Sequence, residues 1–483
     1  MKILIASPEA VPFIKTGGLA DVAGSLLKEF RGMKHETYCI LPLYKKIKDA
    51  FPLDDTGLTI KVPVGDKLKE GRIFSHRSSS YFIQSAEFFD REELYGTAAG
   101  DYDDNASRFI FFSRGILETC RALKFQPDII HCNDWQTGLV PLYLKTLYKD
   151  DAFFRDTATL LTIHNLGYQG LFPASDMSLT NLGQDLFSPE GIEFYNKVNF
   201  LKAGIISADF LNTVSITYSK EILSSDSGFG LEGVLGNRIK DLFGVINGID
   251  YDEWDPVKDK LLPAHFSNRN ISGKTTCKRE LVRALFEEEG PGAAQMPLIG
   301  IVSRLSAQKG LDLVLQSLPE LLSYNVRLII LGKGDASIQS ALVGAAKTYK
   351  GKLSVTIGFN DTLAHRVYAG TDFFLMPSKY EPCGLGQLIA MRYGTIPVAR
   401  ATGGLIDTIQ DYEPLTSTGT GFLFYDYTSS ALISALKRAF CVFTEKNKMK
   451  KIVNEGMRQD FSWKKSAADY IELYGNAVKK RKA

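Results

Sequence analysis

What the chain lacks excludes several classes of protein at once. Its six cysteines (Cys39, Cys120, Cys132, Cys277, Cys383 and Cys441) are scattered and none pair as C-x-x-C. That argues against a disulfide framework or a thiolate zinc site and suits a reducing compartment. The six histidines include no H-x-x-x-H pair, so no metal centre is expected. No Walker A string and no G-x-S-x-G elbow occur, which removes the P-loop enzymes and the serine hydrolases. No apolar run reaches the length of a membrane span. The opening run Ile3–Ala6 is too short for a signal peptide and is followed by the acidic Glu9. A charge imbalance is missing too: 57 Lys+Arg against 55 Asp+Glu leave +2. Nothing in bulk charge calls for nucleic acid or a membrane surface, and the basic end Lys479–Lys482 reads as a solvated tail. A cytoplasmic protein is expected.

What is present is a long alternation of short β-branched runs and helical patterns. The strand candidates of the first half are 3–7, 37–41, 128–132, 159–164 and 210–214. Those of the second half are 298–302, 326–331, 353–357, 372–377 and 396–399. Helical stretches such as 108–123 and 310–322 lie between them. The segment 54–90 alternates and reads as a small antiparallel excursion on the first sheet. Strand alternating with helix means a doubly wound, mostly parallel α/β sheet, and two such series mean two domains. The boundary is expected at the Asn247-Gly248 turn, giving domains 1–245 and 246–463, with the amphipathic stretch 464–483 left over.

Ligands of open α/β sheets bind beyond the carboxyl ends of the strands, and the polar clusters sit there. Lys15-Thr16-Gly17-Gly18 follows the first strand and opens a helix, a place for a phosphate beside backbone N–H groups and one full charge. The two glycines are expected to supply unusual φ values. This turn is not G-x-G-x-x-G, which counts against a dinucleotide oxidoreductase. The string returns as Thr402-Gly403-Gly404-Leu405-Ile406-Asp407. Arg304 and Lys309 follow a strand and can neutralise a pyrophosphate leaving group. Tyr380-Glu381-Pro382-Cys383-Gly384-Leu385 is expected to start a helix, with Glu381 at its N-terminus. His131–Trp135 and Thr162–Asn165 end strands with polar groups; a buried structural histidine is the plain alternative for each.

Taken in order, these motifs resemble the bacterial and plant glycogen and starch synthases, retaining glycosyltransferases that use ADP-glucose. The resemblance implies a GT-B architecture: two Rossmann-like domains facing a central cleft, with the last helix crossing back onto the first. It implies that Arg304 and Lys309 bind the diphosphate, that Gly358 and Phe359 lie near the adenine, and that Glu381, Cys383, Gly384 and Leu385 hold glucose and phosphates. Lys15, Gly17 and Gly18 would close on the donor. Asp21, Tyr95, Asp134 and Asn165 would serve the sugar and acceptor side. By the same resemblance the catalytic set is Glu381, Lys15, Arg304, Lys309, His164 and Asp134, with no metal and no cofactor. The partners would be ADP-glucose and an α-glucan, glycogen. Two positions depart from the family pattern: Gly386 stands where Thr or Ser is usual, and Glu92-Glu93 precede Leu94-Tyr95-Gly96. The rival readings are a related enzyme using UDP-glucose and a catalytically silent glucan binder.

Overall fold

The computed structural model describes residues 1–97, 100–288 and 291–483. They divide into two compact units. The first comprises Met1–Val214, Ser219–Val245 and Trp463–Ala483; the second comprises Ser215–Tyr218 and Ile246–Ser462.

The first unit is built on nine strands: β1 (Lys2–Ala6), β2 (Glu36–Pro42), β3 (Asp54–Val64), β4 (Lys67–His76), β5 (Ser80–Gln84), β6 (Ile129–Asn133), β7 (Ala158–Ile163), β8 (Phe210–Thr213) and β9 (Leu242–Gly244). Their order across the sheet is β9-β8-β7-β6-β1-β2-β5-β4-β3. Strands β6 and β7 are buried along their whole length, including their polar residues His131, Asn133, Thr159 and Thr162, so neither shows the in-out alternation of a half-exposed strand. The excursion over 54–90 extends this sheet: β3, β4 and β5 pair antiparallel, and β5 then lies parallel to β2. The chain leaves β1 toward β2 and later returns to β6 on the other side of β1. That reversal places the β1 and β6 carboxyl ends at a topological switch point, where such sheets take their ligands.

The helix Trp463–Lys482 covers the same unit. Tyr474 reaches His131 (hydroxyl to Nδ1, 2.7 Å) and Tyr470 accepts from Asn212 (3.0 Å). His131 thus sits between Tyr474 and the Thr162 hydroxyl, 2.7 Å from its Nε2. Burial pushes its pKa down to about 3, so it is a neutral structural imidazole, the plain one of its two readings.

The second unit holds six parallel strands: β10 (Leu298–Val302), β11 (Arg327–Gly332), β12 (Leu353–Ile357), β13 (Phe373–Met376), β14 (Ile396–Arg400) and β15 (Phe422–Phe424). Their order is β12-β11-β10-β13-β14-β15, so the switch point falls between β10 and β13. The segments leaving those two strands carry Arg304–Lys309 and Lys379–Leu385. Among the described residues, no helix is long and apolar enough to cross a membrane, and all six cysteines are free.

Candidate active site

In the first unit the loop after β1 is organised by Glu9, a residue that the sequence marks only as acidic. Its carboxylate is buried and accepts three short bonds: from Thr16 N–H (2.5 Å), the Thr16 hydroxyl (2.6 Å) and the Tyr95 hydroxyl (2.6 Å). Burial raises its pKa, and those bonds lower it in part. One carboxylate therefore fixes both the Lys15–Gly18 turn and the Tyr95 segment. That segment is further held by the buried Arg108, which donates to the carbonyls of Phe88 (2.7 Å) and Leu94 (2.8 Å). The unusual Glu92-Glu93 pair makes surface ion pairs with Lys45 and Lys46.

Lys15 is half-exposed and pairs with Asp21 at 2.7 Å, one turn into the helix Gly18–Gly32. The expectation of unusual φ at the two glycines is corrected here. Gly17 is extended (φ −157°, ψ −171°), and neither Gly17 nor Gly18 has a positive φ. A Cβ on Gly17 would meet no atom within 4 Å. Nothing in the described chain keeps a side chain out of that space. The echo string differs. Gly403 has φ +46°, and a Cβ there would lie 2.0 Å from the Glu381 carbonyl oxygen. A Cβ on Gly404 would lie 2.3 Å from the Cys383 carbonyl oxygen. These glycines let the Glu381–Cys383 backbone pack close. The G-x-G-x-x-G spacing also occurs at Gly228–Gly233, before the short helix Glu232–Gly236 and not after a strand, so it forms no dinucleotide turn.

At the end of β6, Asp134 is buried with φ +55°, a left-handed conformation that non-glycine residues seldom adopt. Its Oδ1 accepts from His164 N–H at 2.7 Å. Burial pushes its pKa up to about 7, against the lowering effect of the His164 and Asn165 amides. His164 Nε2 lies 2.9 Å from Asn133 Oδ1, while the Asn133 amide nitrogen faces the carbonyls of Ala6 and His131. That arrangement puts the imidazole proton on Nε2 and a lone pair on Nδ1. Burial holds the ring neutral, with its pKa down at about 3. Asn165 accepts from Gly167 N–H (3.0 Å) and shapes the following turn.

Asp134 gives a pH prediction. Its carboxyl titrates near 3.8 when unperturbed and near about 7 in the fold. Between those values the native state holds the extra proton, so stability falls as pH rises through that window and levels off above it. Asp134→Asn, which keeps an acceptor for His164, removes this slope. Thermal melting at about pH 5 and about pH 8 should show the gap between the two shrinking by on the order of a few kcal/mol.

In the second unit Lys309 and Glu381 meet across 72 residues of sequence. Lys309 Nζ is 2.5 Å from Glu381 Oε2, and the Ser378 hydroxyl donates to the same oxygen at 2.9 Å. The pair is largely buried, with side-chain exposures of 19% and 6%, so the ions are held in low dielectric. Arg304 donates to Gln308 (3.1 Å) and is exposed. The expected helix start at Glu381 is corrected: the helix runs Gly386–Arg392, and residues 379–385 form a non-helical loop. Glu381 is held by Lys309 and Ser378, not by a helix terminus. Gln387 clamps this loop by donating to the carbonyls of Cys383 and Gly384, both at 3.0 Å. Gly384 takes φ +77° there. Cys383 is buried with its thiol pushed up to about 12, so its side chain is a packing group. Leu385 caps the helix start. Gly386 has a physical reason: a Cβ there would come within 2.8 Å of the Phe374 ring, which fills the room a Thr or Ser would need. Gly358 has φ +131° and open space above it, and the neighbouring Phe359 is 86% exposed.

The chain was compared with known proteins. A family profile described as "Starch synthase catalytic domain" matches residues 2–237, and one described as "Glycosyl transferases group 1" matches residues 286–457. The glycogen synthase of Syntrophotalea carbinolica is 45% identical over 483 residues, covering 99% of this chain and 99% of that protein. The chain belongs to the glycogen synthase family. A second relative, the glycogen synthase of Geotalea daltonii, is 45% identical over the full length of both proteins. Among solved structures, the catalytic domain of starch synthase IV from Arabidopsis thaliana, bound to ADP and acarbose, superposes with a TM-score of 0.90 at 32% identity, covering 99% of each chain. A sucrose-phosphate synthase from Thermosynechococcus elongatus shares the fold alone, with a TM-score of 0.62 at 16% identity over 98% of each chain. This glycogen-synthase-family chain is therefore a glycosyltransferase, and its two parallel-sheet units are of the GT-B kind.

Proposed function

We propose that the chain transfers glucose from ADP-glucose, with retention, to the non-reducing 4-hydroxyl end of an α-1,4-glucan in the cytoplasm, elongating glycogen. The observation that carries this reading is the buried Lys309–Glu381 pair at the switch point of the second sheet, with Arg304 on the same loop as Lys309. Domain 246–463 then takes the nucleotide sugar, and domain 1–245 with helix 464–483 serves the acceptor. When the anomeric C–O bond breaks, its electrons pass to the ADP β-phosphate oxygen. Arg304 offers a fork of donors and Lys309 a point charge for that growing charge. The anomeric carbon gains oxocarbenium character, and the acceptor 4-hydroxyl attacks from the same face. Its proton goes to the departing phosphate. Glu381 orients Lys309 and accepts from sugar hydroxyls. Asp134, and His164 through its neutral ring, bind the sugar without adding to the cations supplied by Arg304, Lys309 and Lys15.

Lys15, Gly17 and Gly18 present backbone N–H groups and one cation to the donor phosphates. The space above Gly17 is open, which supports an approach of the donor there. Gly17→Ala should therefore leave the fold intact and stabilise it by up to about 1 kcal/mol, because its extended backbone suits alanine. Activity should nevertheless fall roughly tenfold or more, a loss of about 1.4 kcal/mol in transition-state binding. Thermal melting and steady-state rates on one preparation check this; equal activity in the variant would remove the glycine loop from the site.

The linkage and the end of the chain that grows are tested by product chemistry. Glycogen extended with labelled ADP-glucose should release its label as maltose on β-amylase digestion. Label resistant to that enzyme would contradict α-1,4 addition at the non-reducing end.

A further inference from the structure

The sequence offers no H-x-x-x-H pair, but the fold assembles a different donor set in the second unit. Asp361 is the first residue of the helix Asp361–Gly370, and His365 follows four residues later on the same face. Glu253 comes from the turn after the Asn247-Gly248 segment. One ligand atom from each of Glu253, Asp361 and His365 lies within 4.8 Å of the other two. His365 is 2% exposed, and its Nε2 has no hydrogen-bond partner among the described residues. That nitrogen points toward Asp361, 3.8 Å from Oδ1.

The other ring nitrogen explains the orientation. His365 Nδ1 lies 2.7 Å from Asp259 Oδ2, and the Tyr393 hydroxyl donates to the same oxygen at 2.6 Å. Leu261 N–H occupies Asp259 Oδ1 at 2.9 Å. The buried Asp259 thus holds a proton on Nδ1 and leaves the Nε2 lone pair facing the two carboxylates. Trp254 stacks on the imidazole, with centroids 4.0 Å apart and planes 14° apart, and locks the ring. A carboxylate bound to one imidazole nitrogen while the other faces further carboxylates is the outer-shell arrangement of histidine metal ligands.

We propose that Glu253, Asp361 and His365 bind a divalent cation of the zinc class. Zinc takes imidazole nitrogen and carboxylate oxygen at about 2.0–2.2 Å, so two ligand atoms at the tetrahedral angle stand about 3.4 Å apart. The His365–Asp361 separation of 3.8 Å is a few tenths of an ångström wider, a gap that rotation of the exposed Asp361 and Glu253 side chains closes. The imidazole donor favours zinc over magnesium. The ion joins the turn before Trp254 to the helix that follows Gly358 and Phe359. Its role is to stiffen that corner of the domain.

The test uses the full chain stripped with a chelator and titrated with zinc chloride by calorimetry, with magnesium chloride in parallel. One saturable zinc equivalent per chain is expected, with a rise in melting temperature and much weaker magnesium binding. Glu253→Gln and Asp361→Asn alter exposed carboxylates and leave the fold intact. Loss of an outer-shell partner alone costs about 10–100-fold in metal affinity, so each variant should lose at least roughly tenfold. Wild-type zinc affinity in both variants, or no saturable binding to the wild type, would overturn the site.

Discussion

Lys309→Met should cut glucan elongation by roughly 10²–10³-fold and destabilise the protein by about 3 kcal/mol, for two separable reasons. The stability loss arises because Glu381, 5% exposed, is left buried without its cation, with Ser378 the remaining side-chain donor among the described residues. The activity loss arises because the leaving diphosphate loses a positive charge in a low-dielectric site. A double-mutant cycle with Glu381→Gln separates them. The double variant removes both charges and should recover most of the lost stability, since the buried carboxylate is gone. It should recover no activity. Recovery of both together would make the pair structural and move the chemistry elsewhere.

Glu9→Ala should be the most damaging change in the first unit. It strands Thr16 N–H, the Thr16 hydroxyl and the Tyr95 hydroxyl, which all converge on one carboxylate. Leaving a buried donor unsatisfied costs about 1–3 kcal/mol, and water can take up part of the bonding of the exposed Thr16, so a loss of about 3 kcal/mol is the upper bound expected. Activity should fall further than stability explains, because the turn holding Lys15 and Gly17 is released. Tyr95→Phe removes one of the three bonds and should lose only about 1 kcal/mol. Glu9→Gln should fall between them: its amide keeps one acceptor oxygen but turns a donor toward the Thr16 N–H. Melting curves of the three variants, read against their rates, check the order. A Glu9→Ala protein as active as Tyr95→Phe would mean that the loop is held by other contacts.

The sheets could be read from the chain because buried parallel strands leave an unambiguous trace. Runs such as 129–133 and 158–163 are rich in apolar and β-branched residues and buried throughout, and helical patterns separate such runs. Strands β9 and β15 went unread: each spans three residues, too few for any periodicity. The small sheet of 171–173, 193–194 and 197–199 escaped for the same reason. The family resemblance named candidate residues but could not say what holds them. Lys309 and Glu381 stand 72 positions apart, and His365 and Asp259 stand 106 apart. No local pattern encodes such pairings, which arise from the strand order. Glu9 was invisible because its signal is three converging donors, not a motif. Glycine was read too uniformly. Gly403 is required by backbone contact, Gly386 by the Phe374 ring, and Gly17 by no described atom of the chain.

The initial rate of ADP release from ADP-glucose, with and without glycogen and with UDP-glucose in parallel, tests the central claim most directly. A glycogen-dependent rate with ADP-glucose, well above that with UDP-glucose, is the result expected. Release from UDP-glucose alone would keep the fold and overturn the donor. No release from either, with glycogen still bound, would make the protein a glucan binder and contradict the transferase reading.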